Sequence, residues 1–375
     1  MSELSAQNRL LSLDVFRGIT IAGMVLVNNP GTWSAIYGPL KHAEWHGITP
    51  TDYIFPFFLF IVGIAIPMAL GKRIRDGIRN DVYLKILRRS VIIFLLGLFL
   101  HLFPYFNFES SRIPGVLQRI AVCYLVVSLI FLHTNWKQQA SIGVGLLLLY
   151  WLLMTAVPVP GCEITTIDDK ACNLAAYLDR LLLGEAHIWK SAKVFDPEGI
   201  LSTIPALVST ISGVLTGTWL NTKRSDLEKV SGLFFFGVVL VAAGWCWSLV
   251  FPFNKSLWTS SYVVYTSGLA LCFLGFCYWL IDIKGYKKWS KPFIIFGVNA
   301  LALFVFTGLF ARILGIIKVT GAEGKEISLQ KWIFDTLFLS IASPINASLM
   351  YAVCFILLWL FLMWLLYRKR IYIKV

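Results

Sequence analysis

The sequence predicts an all-α, polytopic membrane protein with about ten transmembrane helices. Of its 375 residues, 58% are hydrophobic and only 14% are charged, which is far more apolar than a soluble domain. The apolar residues lie in runs of about 20, the length at which an α-helix crosses the hydrocarbon core. Lys and Arg concentrate in alternate connections between these runs, as they do in polytopic membrane proteins.

Ten apolar runs are long enough to span a bilayer. The predicted spans are Leu11–Asn28, Asp52–Leu70, Leu87–Phe103, Pro114–Leu132, Ala140–Val157, Gly199–Leu220, Val230–Phe251, Leu257–Ile281, Pro292–Ile316 and Ile345–Tyr367. The run from Leu329 to Ala342 is too short and too charged to span and is predicted to lie at the interface. The spacing of Gly213 and Gly217 favours close helix packing.

The basic residues predict that both termini are cytoplasmic. With that orientation the inner segments hold twenty Lys and Arg and the outer connections hold ten, as the positive-inside rule requires. Anionic lipid beside the inner helix ends explains the net charge of +13, so no nucleic-acid partner is expected. Residues 158–198 are predicted to form a long periplasmic loop, in which Cys162 and Cys172 can form a disulfide. No metal site is expected, because no Cys or His pair has companions at zinc-ligand spacing.

A polar stretch lies at the mouth of the second span. The connection before this span holds His42 and His46, and the first turn of the span holds Asp52. Ionisable groups beside a membrane-embedded segment are costly and commonly functional, and an imidazole can take up and return a proton near neutral pH. Two interpretations of Asp52 stay open, because Thr49 and Pro50 also predict a helix start at which Asp52 is only the capping partner.

The first span carries polar residues near both of its ends. Asp14 and Arg17 are three residues apart and share a helix face. They either neutralise each other or leave Arg17 to receive an anionic cofactor such as a CoA phosphate. At the outer end, Asn28 is either a helix cap or an amide that faces the outer cavity.

Further polar residues lie in or beside later spans. Arg119 lies about two turns below the outer surface and needs an anionic or carbonyl partner, either as the counter-ion of a carboxylate or as a substrate contact. Glu198 and Asp196 precede the sixth span, where acids also favour a helix N-terminus. Asn299 lies near mid-membrane. One set of polar residues maps to the outer side and predicts a polar site there: Asn28, His42, His46, Asp52, His101, Arg119, Asp196 and Glu198.

Seven stretches of the chain resemble one family of membrane acyltransferases. They are SLDVFRG, VNN followed by KHAEWHGITPTDYIFPFFLFIVG, IPGVLQRIAVCY, FDPEGILSTIPALVSTISGVLTG, PFNKSLWTSSY, FGVNALALFVF and YRKRIYIKV. Together they resemble the membrane domain of heparan-α-glucosaminide N-acetyltransferase and its bacterial relatives. The first stretch also resembles the wider set of transmembrane acyltransferases that modify cell-surface polysaccharides.

The resemblance implies that residues 1–375 form one transmembrane acyltransferase domain in a bacterial cytoplasmic (inner) membrane. It implies acetyl transfer from cytoplasmic acetyl-CoA to an amino sugar on the far side, and a homodimer. The family's active-site histidine matches His42 in KHAEW, and its active-site asparagine matches Asn28 in VNN. His46 stands where the animal sequences carry Asn and is the weaker candidate. We expect Asp52, Arg119, Glu198 and Asn299 to contact or support the substrate.

Several alternatives remain open from the sequence. His42 is either the general base of a direct transfer or a nucleophile that forms an acetyl-histidine. The acceptor is either the amine of a glucosamine-type sugar or a hydroxyl of a surface polysaccharide. A transporter or flippase for a sugar or lipid-linked sugar is the rival class, but such a protein should show internal repeats and midplane charges. No clear repeat is visible, and the charges gather at the outer ends.

Overall fold

The computed structural model describes residues 10–75, 80–321 and 324–373; the basic residues Arg9, Arg79 and Lys374 of the predicted cytoplasmic side lie outside this part. The described α-helices are α1 (Leu11–Asn28), α2 (Ile54–Arg75), α3 (Asn80–Leu102), α4 (Val116–His133), α5 (Trp136–Ala156), α6 (Leu174–Leu183), α7 (Thr203–Leu220), α8 (Asp226–Ser248), α9 (Ser260–Cys277), α10 (Lys291–Val298), α11 (Ala300–Ile316), α12 (Leu329–Ile333) and α13 (Pro344–Arg368). The strands β1 (Lys318–Thr320) and β2 (Glu326–Ser328) form an antiparallel hairpin in which Val319 lies opposite Ile327.

Eight described helical segments are long and apolar enough to cross a membrane. They are Leu11–Asn28, Pro50–Gly71, Val116–His133, Trp136–Ala156, Thr203–Leu220, Asp226–Ser248, Ser260–Ile283 and Pro344–Arg368, and the bent pair Lys288–Val298 with Ala300–Ile316 forms a ninth candidate. The predicted span Leu87–Phe103 falls in α3, whose first half carries Lys85, Arg88 and Arg89. The prediction of an all-α, polytopic membrane protein is confirmed. The orientation of the termini stays a prediction.

The run from Leu329 to Ala342, which was predicted to lie at the interface, does not form a membrane-spanning helix. It contains only the short helix α12 and a π-helical turn, Phe334–Phe338. Neither element has the length that a bilayer requires.

The described residues form two compact units. One comprises residues 10–42, 49–54 and 277–373, and the other comprises residues 43–48 and 55–276. In the first unit, α1 lies against α10, α11 and α13. A Cβ at Gly18 would lie 1.8 Å from the carbonyl oxygen of Phe293, and one at Gly297 would lie 2.2 Å from the carbonyl oxygen of Asp14. The absence of side chains at these two glycines therefore allows α1 and α10 to approach.

Glycines also set the packing of α2 against α7 in the second unit. A Cβ at Gly213 would lie 2.0 Å from the carbonyl oxygen of Phe60, and one at Gly63 would lie 2.0 Å from that of Thr210. Gly217 also lies close to α2, because a Cβ there would lie 2.6 Å from the ring of Pro67. The predicted close packing at Gly213 and Gly217 is confirmed.

The polypeptide bends by 72° between α10 and α11. Asn299 is the residue at the bend, and its backbone is not helical. Its side chain is buried and holds the C-terminal segment, because the Asn299 amide donates to the Ile371 carbonyl at 3.1 Å and its oxygen accepts from the Ile373 N–H at 2.9 Å.

Candidate active site

His42 and Asp52 form a close pair in the first unit. Nδ1 of His42 lies 2.6 Å from Oδ1 of Asp52. The Asp52 side chain is fully buried, whereas 46% of the His42 side chain is exposed. A buried carboxylate therefore holds an imidazole that solvent and substrate can still reach.

The local sequence explains why Asp52 faces His42. Pro50 starts a 3₁₀ turn, Pro50–Tyr53, that leads into α2. Oδ2 of Asp52 accepts the Thr49 N–H at 3.0 Å, which fixes the carboxylate at the start of the helix. The Thr49 hydroxyl lies 2.6 Å from the Lys41 carbonyl oxygen, which draws the chain beside His42 onto the same turn. Asp52 is thus a capping residue and also the partner of His42, so both interpretations of its role describe the structure.

This geometry defines the state of the His42 ring. A carboxylate accepts hydrogen bonds. Nδ1 of His42 is therefore the protonated nitrogen of the ring, and its N–H donates a hydrogen bond to Asp52. The opposite nitrogen, Nε2, is then the basic atom of the neutral ring. The pair has the parts that a general base or an acyl-accepting nucleophile requires, namely a basic nitrogen and a fixed ring orientation.

Asn28 ends α1 in the same unit as His42. Its side chain is exposed, whereas Asn29 is buried and its amide donates to the Val25 carbonyl at 2.9 Å. Asn29 therefore closes the helix, and Asn28 does not serve that purpose. α1 lies against the turn that holds Asp52, with Gly23 next to Ile54.

Arg17 lies about 16 Å from Asn28 along the axis of α1. Its guanidinium lies 3.3 Å from the carboxylate of Asp14 and 3.4 Å from the carbonyl oxygen of Gly297. The expected pairing with Asp14 is present, and a quarter of the Arg17 side chain remains exposed. Asn299, expected to support a substrate, holds the C-terminal segment, and its expected role stays a prediction.

The second unit holds His46 in a different setting. Its Nε2 lies 2.8 Å from the carboxylate of Asp168, and its Nδ1 lies 3.4 Å from the amide nitrogen of Asn254. The neighbouring Trp45 donates to the Ile167 carbonyl at 2.9 Å. Both ring nitrogens of His46 thus have side-chain neighbours, and this histidine helps to hold residues 43–48 on the long loop.

The disulfide predicted in that loop is present. Cys162 and Cys172 are bonded. Lys170, within the loop that they close, lies over the Trp45 ring at 5.7 Å.

Glu198 and Asp196 share a partner, Arg112, that the sequence did not indicate. Arg112 donates to both oxygens of Asp196, through Nε at 2.8 Å and Nη2 at 2.5 Å, and also to Glu198. Burial opposes the charge on Arg112, but Glu198 and Asp196 outweigh it and raise the pKa of the guanidinium. Burial alone would raise the pKa of Glu198, but the charge of Arg112, with smaller effects of Lys255 and Arg119, lowers it. These shifts favour the ionised forms of Arg112 and Glu198.

Asp179 is a further buried acid in this group. Its carboxylate accepts the N–H groups of Ile200 at 2.9 Å and Asp196 at 3.4 Å. Burial is the main cause that raises the pKa of Asp179 to about 7, although the Ile200 N–H lowers it and the charge of Asp196 raises it. Gly199 makes room for the carboxylate, because a Cβ there would lie 2.0 Å from Oδ2 of Asp179.

Arg119 has the carbonyl partner that the sequence required. Its Nη2 donates to the Gly199 carbonyl oxygen at 3.1 Å and to the Ser202 hydroxyl, and its guanidinium lies 5.1 Å from the centre of the Trp258 ring. Only 2% of Arg119 is exposed. Arg119 therefore fixes the turn before α7. His101 is also structural, since its Nδ1 lies 2.9 Å from the Arg112 carbonyl oxygen.

The sequence prediction joined residues that belong to different units. Asn28, His42 and Asp52 lie in the first unit, with Arg17 and Asn299. His46, His101, Arg119, Asp196 and Glu198 lie in the second. Among the described residues, no group of three or more His, Cys, Asp and Glu side chains could hold a metal ion.

Comparison with known proteins gives a consistent result. Residues 9–159 match a domain of unknown function, DUF5009. Heparan-alpha-glucosaminide N-acetyltransferase of Homo sapiens is 31% identical over 360 residues, which cover 79% of this chain and 52% of the human protein. The Mus musculus protein of the same name is 29% identical over 365 residues, which cover 80% of this chain and 53% of the mouse protein. This chain is homologous to heparan-alpha-glucosaminide N-acetyltransferases. The resemblance seen in its motifs is thus confirmed, and the chain spans about half the length of these relatives.

Sequence reasoning missed Arg112, Asp168 and Asp179. Arg112 and Asp196 are 84 residues apart, so their contact leaves no pattern along the chain. The excess of acids in residues 158–198 was the one available signal, because buried carboxylates need a cation or N–H donors.

Proposed function

We propose that the chain is a transmembrane acyltransferase that moves an acetyl group from cytoplasmic acetyl-CoA to the amine of a glucosamine-type sugar on the periplasmic side. The observation that carries this proposal is the contact between the half-exposed His42 and the buried Asp52. His42 is the residue that matches the family's active-site histidine. Homology to heparan-alpha-glucosaminide N-acetyltransferases supports the class of donor and acceptor.

His42 acts as the general base. The sugar nitrogen attacks the thioester carbonyl carbon, and Nε2 of His42 takes the proton that this nitrogen loses. When the tetrahedral intermediate collapses, the carbon–sulfur bond breaks and the CoA sulfur leaves with the proton returned by His42. Asp52 keeps the ring in the required tautomer and stabilises the imidazolium, because a buried charge-assisted hydrogen bond is stronger than one in water.

Asn28 supplies the electrophilic contact. Its amide donates to the oxyanion that develops on the thioester carbonyl, the type of contact that lowers the barrier of acyl transfer most. Direct transfer needs no protein nucleophile. The alternative, with an acetyl group carried on Nε2 of His42, uses the same two residues but makes the histidine the attacking group.

Arg17 receives a phosphate of the donor. Its guanidinium lies near the opposite end of α1 from Asn28, about 16 Å away along the helix, and is partly exposed. An extended donor that reaches from Arg17 to Asn28 would run the length of this helix. The proposal also places the chain in a bacterial cytoplasmic membrane, with both termini inside, and as a homodimer.

The test uses purified protein in vesicles of known orientation, with labelled acetyl-CoA on one side and glucosamine on the other. We expect transfer by the wild type, and none by a folded His42→Ala variant. His46→Ala is the matched control and should retain transfer, because His46 lies among structural partners. Transfer that survives His42→Ala would refute the assigned base. A wild type that acetylates no amino sugar but moves one across the bilayer would be a transporter.

A further inference from the structure

A narrow apolar groove lies in the unit that contains His42. Its walls are the C-terminal end of α1, the loop that follows α1 and the first turns of α13. The wall residues that matter here are Val27, Tyr37, Leu40, Ile345, Leu349 and Ala352.

The polar side chains of this wall are already occupied. The Ser348 hydroxyl donates to the Thr32 carbonyl at 3.1 Å and accepts the Thr32 N–H at 3.2 Å. The Tyr37 hydroxyl donates to the side-chain oxygen of Asn346. These two contacts fasten the loop to α13 and leave mainly carbon atoms to line the groove. An apolar occupant fits such a surface, whereas a polar group would lose its water without gaining partners.

Two residues of the groove wall lie close in sequence to Asn28 and His42, the residues proposed to carry out the transfer. Val27 immediately precedes Asn28. Leu40 is two residues before His42, so their Cα atoms are at most about 7 Å apart. The groove wall therefore includes close sequence neighbours of both Asn28 and His42.

The groove continues onto a lipid-facing surface. On α13, Ile345, Leu349, Val353 and Leu357 follow one another at intervals of four residues, the spacing of a ridge on a helix surface. The first two line the groove, and the last two are 42% and 56% exposed. Since α13 is one of the candidate spans, this exposed ridge would face hydrocarbon if α13 crosses the bilayer, and it would form an apolar track from the bilayer into the groove.

We propose that the groove holds the hydrocarbon tail of a lipid-linked acceptor, so that the amino sugar reaches His42 from the membrane rather than from water. The inference rests on the proposed acetyl transfer and names the class of its acceptor. The lipid anchors the sugar, and the groove sets the distance between the tail and the amine.

The first test measures binding without any need for activity. A glucosaminyl lipid with a photoreactive diazirine in its tail is mixed with the wild-type protein in phosphatidylcholine vesicles and irradiated. We expect label in residues 344–352, and we expect unlabelled glucosaminyl lipid to compete for it. Label from a diazirine phosphatidylcholine at the same residues, with no competition by the glucosaminyl lipid, would mean that bulk lipid fills the groove and would overturn the inference.

The second test measures specificity. Leu349→Trp fills the groove, and Met350→Trp is the matched control because Met350 is 39% exposed on the same helix and is absent from the groove wall. We expect Leu349→Trp to raise the KM for glucosaminyl lipid relative to that for free glucosamine by at least about tenfold, and Met350→Trp to leave the ratio unchanged. An equal effect of Leu349→Trp on both acceptors overturns the inference.

The two proposals fail in different ways. If free glucosamine is acetylated as efficiently as the glucosaminyl lipid, and the glucosaminyl lipid does not compete in the labelling, the proposed acetyl transfer stands and the lipid-linked acceptor is wrong. If the glucosaminyl lipid labels the groove and neither acceptor is acetylated, the acetyl transfer itself is wrong, and with it the acceptor role.

Discussion

Substitution of Asp52 by Asn tests the proposed base most directly. The change keeps the size of the side chain and one oxygen, which can still accept the Thr49 N–H now bonded to Oδ2 of Asp52. That contact directs the new NH₂ group toward Nδ1 of His42. Since the NH₂ group is a donor, Nδ1 must become the acceptor, and the ring proton moves to Nε2. The atom that should take the substrate proton is then blocked.

The structure gives the size of the effect. The lost contact is a hydrogen bond of 2.6 Å to a fully buried carboxylate, and bonds to charged groups contribute about 1.5–3 kcal/mol. This range corresponds to a fall in kcat of about 10- to 150-fold. The unfavourable tautomer places the expected loss toward the upper end, about 100-fold. The KM for the donor should change little, because Asp52 acts only through His42.

The assay is acetyl transfer in vesicles by wild type and by Asp52→Asn. The matched control is Asp168→Asn, which removes a carboxylate 2.8 Å from the other histidine of the connection, His46. We expect kcat of the control to stay within about twofold of wild type, because Asp168 is mostly exposed and such pairs contribute little. Equal losses in the two variants, or an unchanged kcat in Asp52→Asn, would refute the reasoning that Asp52 orients the base.

Three further predictions concern stability, measured as the thermal midpoint in detergent. Burial raises the pKa of Asp179 to about 7, so between about pH 4 and pH 7 the native state holds a proton that the unfolded chain has released. The free energy of unfolding should therefore fall by about 4 kcal/mol as the pH rises from 4 to 7, and then level off. Asp179→Asn should flatten this slope, and an unchanged slope would assign it to another group. Reduction of the bond between Cys162 and Cys172 should cost about 3 kcal/mol, and Cys162→Ser should match the reduced wild type and no longer respond to reductant. Gly213→Ala should destabilise by about 1–3 kcal/mol because its Cβ would lie 2.0 Å from a carbonyl oxygen of α2. Gly145→Ala, within α5 and facing open space, should not lower the midpoint, and equal midpoints for the two variants would contradict the packing argument.

The sequence was sufficient to predict those features whose contacts join residues close together in the chain. The helix start at Thr49, Pro50 and Asp52 follows from capping preferences, and the contact with His42 joins residues only ten apart. The apolar runs likewise identified the spans, because a helix in lipid satisfies its own backbone. The disulfide could be foreseen because the two cysteines share one loop.

Partners of buried charges could not be found in this way. Arg119 was correctly expected to need a carbonyl or an anion, but nothing in its helix specifies Gly199, which lies 80 residues later. Glu198 is bound by Arg112, which lies 86 residues earlier in the chain, and its expected place near the substrate stays a prediction. Nothing in the sequence around Asn299 predicts its contact with Ile371 and Ile373, because that contact depends on the bend between α10 and α11. Burial creates the requirement for a partner, and the tertiary fold decides which partner meets it.

The two histidine–aspartate pairs show why distance alone does not identify a base. The pairs of His42 with Asp52 and of His46 with Asp168 have similar lengths, 2.6 and 2.8 Å. Their burial is opposite, because the Asp52 side chain is fully buried and 74% of the Asp168 side chain is exposed. Water and salt screen an exposed carboxylate and leave it free to move, whereas a buried one acts at low dielectric and is held by Thr49. The first pair combines a buried, fixed carboxylate with a half-exposed ring, and for this reason we propose His42 rather than His46 as the base.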